Sequence, residues 1–114
     1  FWGGTPSVAP YILARAGAEA IAAAGPAAIE AKSRRLLDRL LARLPAAAVL
    51  SHATPGERGS AVILRPRRFD AARAALAEEK IAHDERMDGF RVSVHLYTED
   101  EEIDRLAAVL ERFA

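Results

Sequence analysis

The sequence has no cysteine among its 114 residues. That absence excludes disulfides, thiolate metal centres and cysteine nucleophiles, and it suits a cytoplasmic protein. Lysine is scarce as well: Lys32 and Lys80 are the only two, and the other cations are arginines. Neither sign of charge dominates, with 16 Lys and Arg against 16 Asp and Glu. No net field therefore draws the chain to nucleic acid or to an anionic membrane, and neither is expected as a partner. No apolar run approaches the roughly 20 residues that a membrane span needs, and no signal or transit pattern is present. The sequence starts at Phe1 rather than methionine, which gives the expectation of a piece cut from a longer protein.

What is present suits a packed globule. Hydrophobic residues make up 51% of the chain and charged residues 28%, a balance that argues against disorder. The length suits one domain over residues 1–114. Ser7 is a candidate N-cap for an alanine-rich helix running to about Ala24, with Pro10 tolerated in its first turn. Gly25-Pro26 ends that helix and starts another, which should run to Leu44. There Leu36, Leu37, Leu40, Leu41 and Leu44 form an apolar stripe of helical period. Lys32, Arg35, Arg39 and Arg43 form a parallel basic stripe. Without interleaved aromatics it reads as a solvated helix face rather than a nucleic-acid patch.

Pro45 stops the helix, and Ala46 to Ser51 is expected as a short strand. Ala61-Val62-Ile63-Leu64 reads as a buried central strand, and a third helix should span about Asp70 to Lys80. Ile81 to Arg86 and Phe90 to Leu96 read as strands joined by a turn at Met87-Asp88-Gly89. The last strand should put Phe90, Val92, Val94 and Leu96 on one face and Arg91, Ser93 and His95 on the other. Thr98-Glu99-Asp100-Glu101 has the pattern of a capping box. The helix it opens carries Ile103, Leu106, Val109, Leu110 and Phe113 on one face. The expected fold is α+β, in the order α-α-β-β-α-β-β-α, with a small, mostly antiparallel sheet covered by helices.

Self-contained catalysis has little support in these residues. His52, His83 and His95 are too scattered for a metal-ligand spacing, so no metal site is expected. No nucleophile elbow, phosphate-binding P-loop or dinucleotide fingerprint occurs, and no catalytic residue is assigned. Two places invite a ligand. Gly3, Gly4 and Thr5 could hold phosphate oxygens through backbone N–H groups and a hydroxyl, or form only a turn into the first helix. Arg91, on the polar face of its strand, could grip a carboxylate with two parallel hydrogen bonds. It could equally be a surface arginine paired with Asp84 or Glu85 across the hairpin.

Taken in order, several segments resemble a known family. Phe1-Trp2-Gly3-Gly4-Thr5-Pro6-Ser7, Ala28-Ile29-Glu30-Ala31-Lys32-Ser33 and Asp84-Glu85-Arg86 are three of them. Gly89-Phe90-Arg91-Val92-Ser93-Val94-His95-Leu96-Tyr97 and Glu101-Glu102-Ile103-Asp104-Arg105-Leu106 are the others. The series is similar to the last part of class V aminotransferase-like enzymes. These are the fold-type I, pyridoxal phosphate-dependent group that includes kynureninase, selenocysteine lyase and cysteine desulfurase.

The resemblance implies a C-terminal small domain whose large domain supplies the cofactor lysine and most of the phosphate cup. It further implies that Arg91 binds the α-carboxylate of an amino-acid substrate. Thr5, with Gly3 and Gly4, would reach the pyridoxal phosphate of the neighbouring subunit in a homodimer. The chain departs from the pattern at Thr98, where the family often has asparagine, and at Val94, where many members have proline. The rival reading is a free-standing α+β module for small-molecule binding or dimerisation. Under either reading, Tyr11, Ile12, Leu13 and Ile21 on the first helix are expected to pack on something outside this sequence.

Overall fold

Gly25 and Pro26 set the geometry of the first half of the chain. Gly25 adopts φ 84°, a conformation that suits glycine, and Pro26 follows at the first position of the next helix. The helices on either side, α1 (Ala9–Ala24) and α2 (Pro26–Leu41), therefore meet at a bend of 75°. A computed structural model describes Gly4, residues 7–51, Thr54, residues 56–86 and residues 88–114. In it β1 (Ala61–Leu64), α3 (Phe69–Glu78), β2 (Asp84–Arg86), β3 (Gly89–Ser93) and α4 (Asp100–Glu111) follow. The class is α+β, and the order of elements is the expected one.

The three strands form one antiparallel sheet in the order β1-β3-β2. Val62 and Leu64 of β1 and Phe90 of β3 turn to the same face and are buried with Leu36, Leu37 and Leu40 of α2. Ala72 and Leu76 of α3 and Ile103, Leu106 and Leu110 of α4 complete this core. Burying each such leucine or isoleucine contributes about 1.5–3 kcal/mol, so these stripes hold the helices on the sheet. The other sheet face, which carries Ala61, Arg91 and Ser93, is open among the described residues.

Several local expectations shift. Ser7 is not the cap of α1. Val8 takes that position, and no side chain caps the helix there. The strand expected at Ala46 to Ser51 is mostly a 3₁₀ turn, Ala46–Ala48, because three alanines after Pro45 favour a helical turn over an extended chain. The segment still reaches the sheet. Val49 bridges Leu64, Leu50 N–H donates to the Ile63 carbonyl at 2.8 Å, and Arg65 N–H donates to the Ala48 carbonyl at 2.7 Å. The central strand is β3, with β1 beside it.

The alternation of β3 holds through Val94 and then fails, since Leu96 is exposed. The strand ends at Ser93, and a turn follows in which Thr98 N–H donates to the His95 carbonyl while Thr98 Oγ1 accepts from His95 N–H. The capping box lies one residue later than expected. Glu99 is the cap, and its N–H donates to Glu102 Oε2 at 2.9 Å.

The basic stripe of α2 is more than a solvated face. Arg35 donates twice to Asp100, Arg39 twice to Asp104 and Arg43 twice to Glu111, at 2.6–2.8 Å. Lys32 donates to the Leu96 carbonyl at 2.7 Å. These contacts line the seam between α2 and α4 above their shared apolar core. The hydrogen bonds from the guanidinium groups, with the attraction of their charge, hold Asp100, Asp104 and Glu111 below the ordinary carboxylate range.

Helix α1 stands apart. It has no buried residue, and Val8, Tyr11, Ile12, Leu13 and Ile21 are all exposed. Its projection explains a radius of gyration of 17.1 Å. A compact chain of this length would measure about 13 Å. No single helix is long and apolar enough to cross a membrane.

Candidate functional site

The open face of the sheet is centred on β3, where the pleat sends alternate side chains to opposite sides. Phe90 faces the helices, fully buried and stacked on Phe69 with ring centroids 4.3 Å apart. Its neighbour Arg91 faces the open side with its side chain 47% exposed. The strand is fixed from below by Phe90, so the Cα of Arg91 is rigidly placed while its guanidinium remains accessible.

Arg91 is opposite Asp84 on β2 and Ile63 on β1. Its Nη2 lies 3.0 Å from Asp84 Oδ2, and Arg86 Nε approaches the same carboxylate at 3.1 Å. The hairpin pairing weighed from the sequence is therefore present, with Asp84 as the partner. Glu85 turns to the helix side and accepts from Arg73 of α3 at 2.7 and 3.1 Å. Those hydrogen bonds, reinforced by the Arg73 charge, hold Glu85 below its ordinary value. Chemically, the face offers a guanidinium that already holds one carboxylate, in a setting open to solvent and flanked by aliphatic carbon from Ile63.

Gly89 lets this face close up beside Arg91. A Cβ there would stand 2.6 Å from Ile63 Cγ2, 3.0 Å from the Leu64 carbonyl oxygen and 3.2 Å from Leu50 Cδ1. Only a hydrogen fits, so the strands and the Leu50–Ile63 pair approach without a gap.

Of the phosphate-site residues, Gly3 and Thr5 lie outside the described residues. Gly4 is exposed, with nothing within 4 Å of where a Cβ would be. That leaves room for a phosphate but brings no described side chain to it. His52 also lies outside the described residues. His83 Nδ1 lies 3.1 Å from the Ile81 carbonyl and His95 stacks on Tyr97, and no group of three or more metal-ligating side chains gathers among the described residues.

The sequence did not signal a second concavity. Residues from the end of α3 and the segment after it, from β3, from the β3–α4 turn and from α4 line a cleft of about 390 Å³. Lys80, His83, Ser93, His95 and Arg105 are on its lining, and Arg91 is not. Four separate segments build it, so no local pattern of residues reveals it.

No family model matches the chain, and no solved structure does. The chain is similar to an isopenicillin N epimerase from Streptomyces clavuligerus, with 37% identity over 119 aligned positions. The match takes in 95% of this chain and 30% of the relative, so the chain spans less than a third of the length of the protein it resembles.

Proposed function

We propose that this chain is the C-terminal small domain of a pyridoxal phosphate-dependent, class V aminotransferase-like enzyme that acts on an amino acid. The observation that carries this reading is the similarity to the epimerase along 95% of the chain but only 30% of the relative. A part of that size, with an α+β fold and an open sheet face, is suited to closing over a site built elsewhere.

In this reading the cofactor is held by the large domain and supplies an electron sink for bond cleavage at the amino-acid α-carbon. This chain contributes positioning. Arg91 binds the substrate α-carboxylate and so fixes which bond of the α-carbon faces the ring, where displacements of about 1 Å cost about a hundredfold in rate. Asp84 steers the guanidinium from one side and leaves donors for the substrate on the other. Gly3, Gly4 and Thr5 extend to the cofactor phosphate of the neighbouring subunit in a homodimer. The exposed apolar residues of α1 pack against the protein's own large domain, which gives those side chains the burial they lack here. The assembly is cytoplasmic.

Arg91→Ala in the full-length protein tests the assignment. The amino-acid KM should rise at least tenfold, or about 1.4 kcal/mol, while cofactor content stays unchanged. An unchanged KM would remove Arg91 from the substrate site.

A further inference from the structure

We infer that the cleft beside the β3–α4 turn binds a small monocarboxylate with an aromatic body. Its volume of about 390 Å³ lies in the range of small-ligand pockets, roughly 300–1,000 Å³. Its floor is the apolar core itself, through Leu76, Phe90, Ile103 and Leu106. At the rim, His95 and Tyr97 stack on each other with ring centroids 5.2 Å apart, which gives a planar ligand a flat wall to lie against.

The charge of the lining selects an anion. Lys80 and Arg105 line the cleft, and Glu102 is the carboxylate that lines it with them. Glu102 is already committed, since it accepts the Glu99 N–H in the capping box of α4. Arg105 donates to the Glu79 carbonyl oxygen at 3.0 Å and lies 3.8 Å from the Glu79 carboxylate. Lys80 makes no ion pair among the described residues, although Glu78 and Glu79 precede it directly. A carboxylate in the cleft would supply the ammonium with a counter-charge.

The backbone fixes where Lys80 sits. It closes α3 with φ 55°, the left-handed conformation common just past a helix end, with its N–H donating to the Ala77 carbonyl at 3.1 Å and the Ile81 N–H to the Leu76 carbonyl at 2.9 Å. The site is separate from Arg91, which does not line it, so it stands whether or not the enzyme reading holds.

The test is a titration of the ¹⁵N-labelled chain with 3-phenylpropionate and, separately, with uncharged 3-phenylpropanol, followed by amide chemical shifts. The acid should give saturable shifts confined to residues 80–83, 93–98 and the start of α4. The alcohol should bind at least about fivefold more weakly, the worth of one partly exposed charge pair. Lys80→Asn should weaken the acid by a similar factor while leaving the melting temperature unchanged or higher, because asparagine tolerates a positive φ. Arg91→Ala should leave the titration unchanged. Absence of saturable shifts would overturn the site, and shifts centred on Arg91 and lost in Arg91→Ala would move the ligand to the open face. Equal affinity for acid and alcohol, or an unaffected Lys80→Asn, would remove the carboxylate assignment.

Discussion

Arg91 and Asp84 face each other across the β2–β3 hairpin, with Nη2 and Oδ2 3.0 Å apart on the open face of the sheet. The pair shows that a carboxylate can reach this guanidinium without moving the strand. Both partners are close to half exposed, so water screens their attraction. A double-mutant cycle on Asp84→Ala and Arg91→Ala, read by urea unfolding, should give a coupling below about 1 kcal/mol. A coupling of several kcal/mol would mean the pair holds the hairpin together, which would leave Arg91 less free to take a substrate.

Gly89 makes a sharper demand. A methyl group there meets Ile63 Cγ2 at 2.6 Å and the Leu64 carbonyl oxygen at 3.0 Å, and neither is the loose end of a long side chain. Gly89→Ala should cost about 1–3 kcal/mol of stability, as overpacking does elsewhere. Combining it with Ile63→Ala should cost less than the sum of the two single changes. Strict additivity would show that the clash is relieved some other way.

The α2–α4 seam predicts the response to acid. Asp104 titrates below its ordinary value of 3.8 because Arg39 hydrogen-bonds it and its charge attracts it. The unfolded chain takes up this proton before the folded one does. The seam's contribution is therefore complete above the ordinary carboxylate values and fades as pH falls through the lower folded value. The arginines, raised by the same hydrogen bonds, stay charged throughout. Asp104→Asn should lower the melting temperature at pH 7, by an amount that shrinks as pH falls below 3.8 through the lower folded value and is reduced in 1 M salt. A difference independent of pH and salt would assign the effect to packing.

Leu13, 80% exposed on α1, has nothing to lose to a charge in this chain. Leu13→Glu should change stability by less than about 0.5 kcal/mol and reduce self-association in sedimentation velocity. In native-state hydrogen exchange, α1 amides should exchange far faster than those of α4. A loss of stability on substitution, or equal protection of the two helices, would show that α1 is packed within the chain.

The sequence carried most of the fold because most of its elements are periodic. The leucines of α2, the apolar face of α4 and the alternation from Phe90 to Val94 are each a local pattern produced by a buried face. Leu96 broke the pattern because the chain had already turned at His95 and Thr98, a bond between neighbours that hydropathy does not encode. The acidic side of the α2–α4 seam was hidden for a different reason. Asp100, Asp104 and Glu111 lie 61 to 68 residues beyond the cations they meet, and Asp100, in the first turn of α4, already has a sufficient local explanation in the dipole. At the candidate site, Arg91 was legible because a strand fixes which way it faces. The cleft was not, since Lys80, Ser93, His95 and Arg105 converge only once α4 has packed.

The most direct test of the enzyme reading is the visible absorbance of the protein expressed from its natural start codon, before and after borohydride. The account predicts a yellow protein whose colour, that of a lysine-bound pyridoxal cofactor, is lost on reduction. A colourless full-length protein that added pyridoxal phosphate does not colour would contradict it.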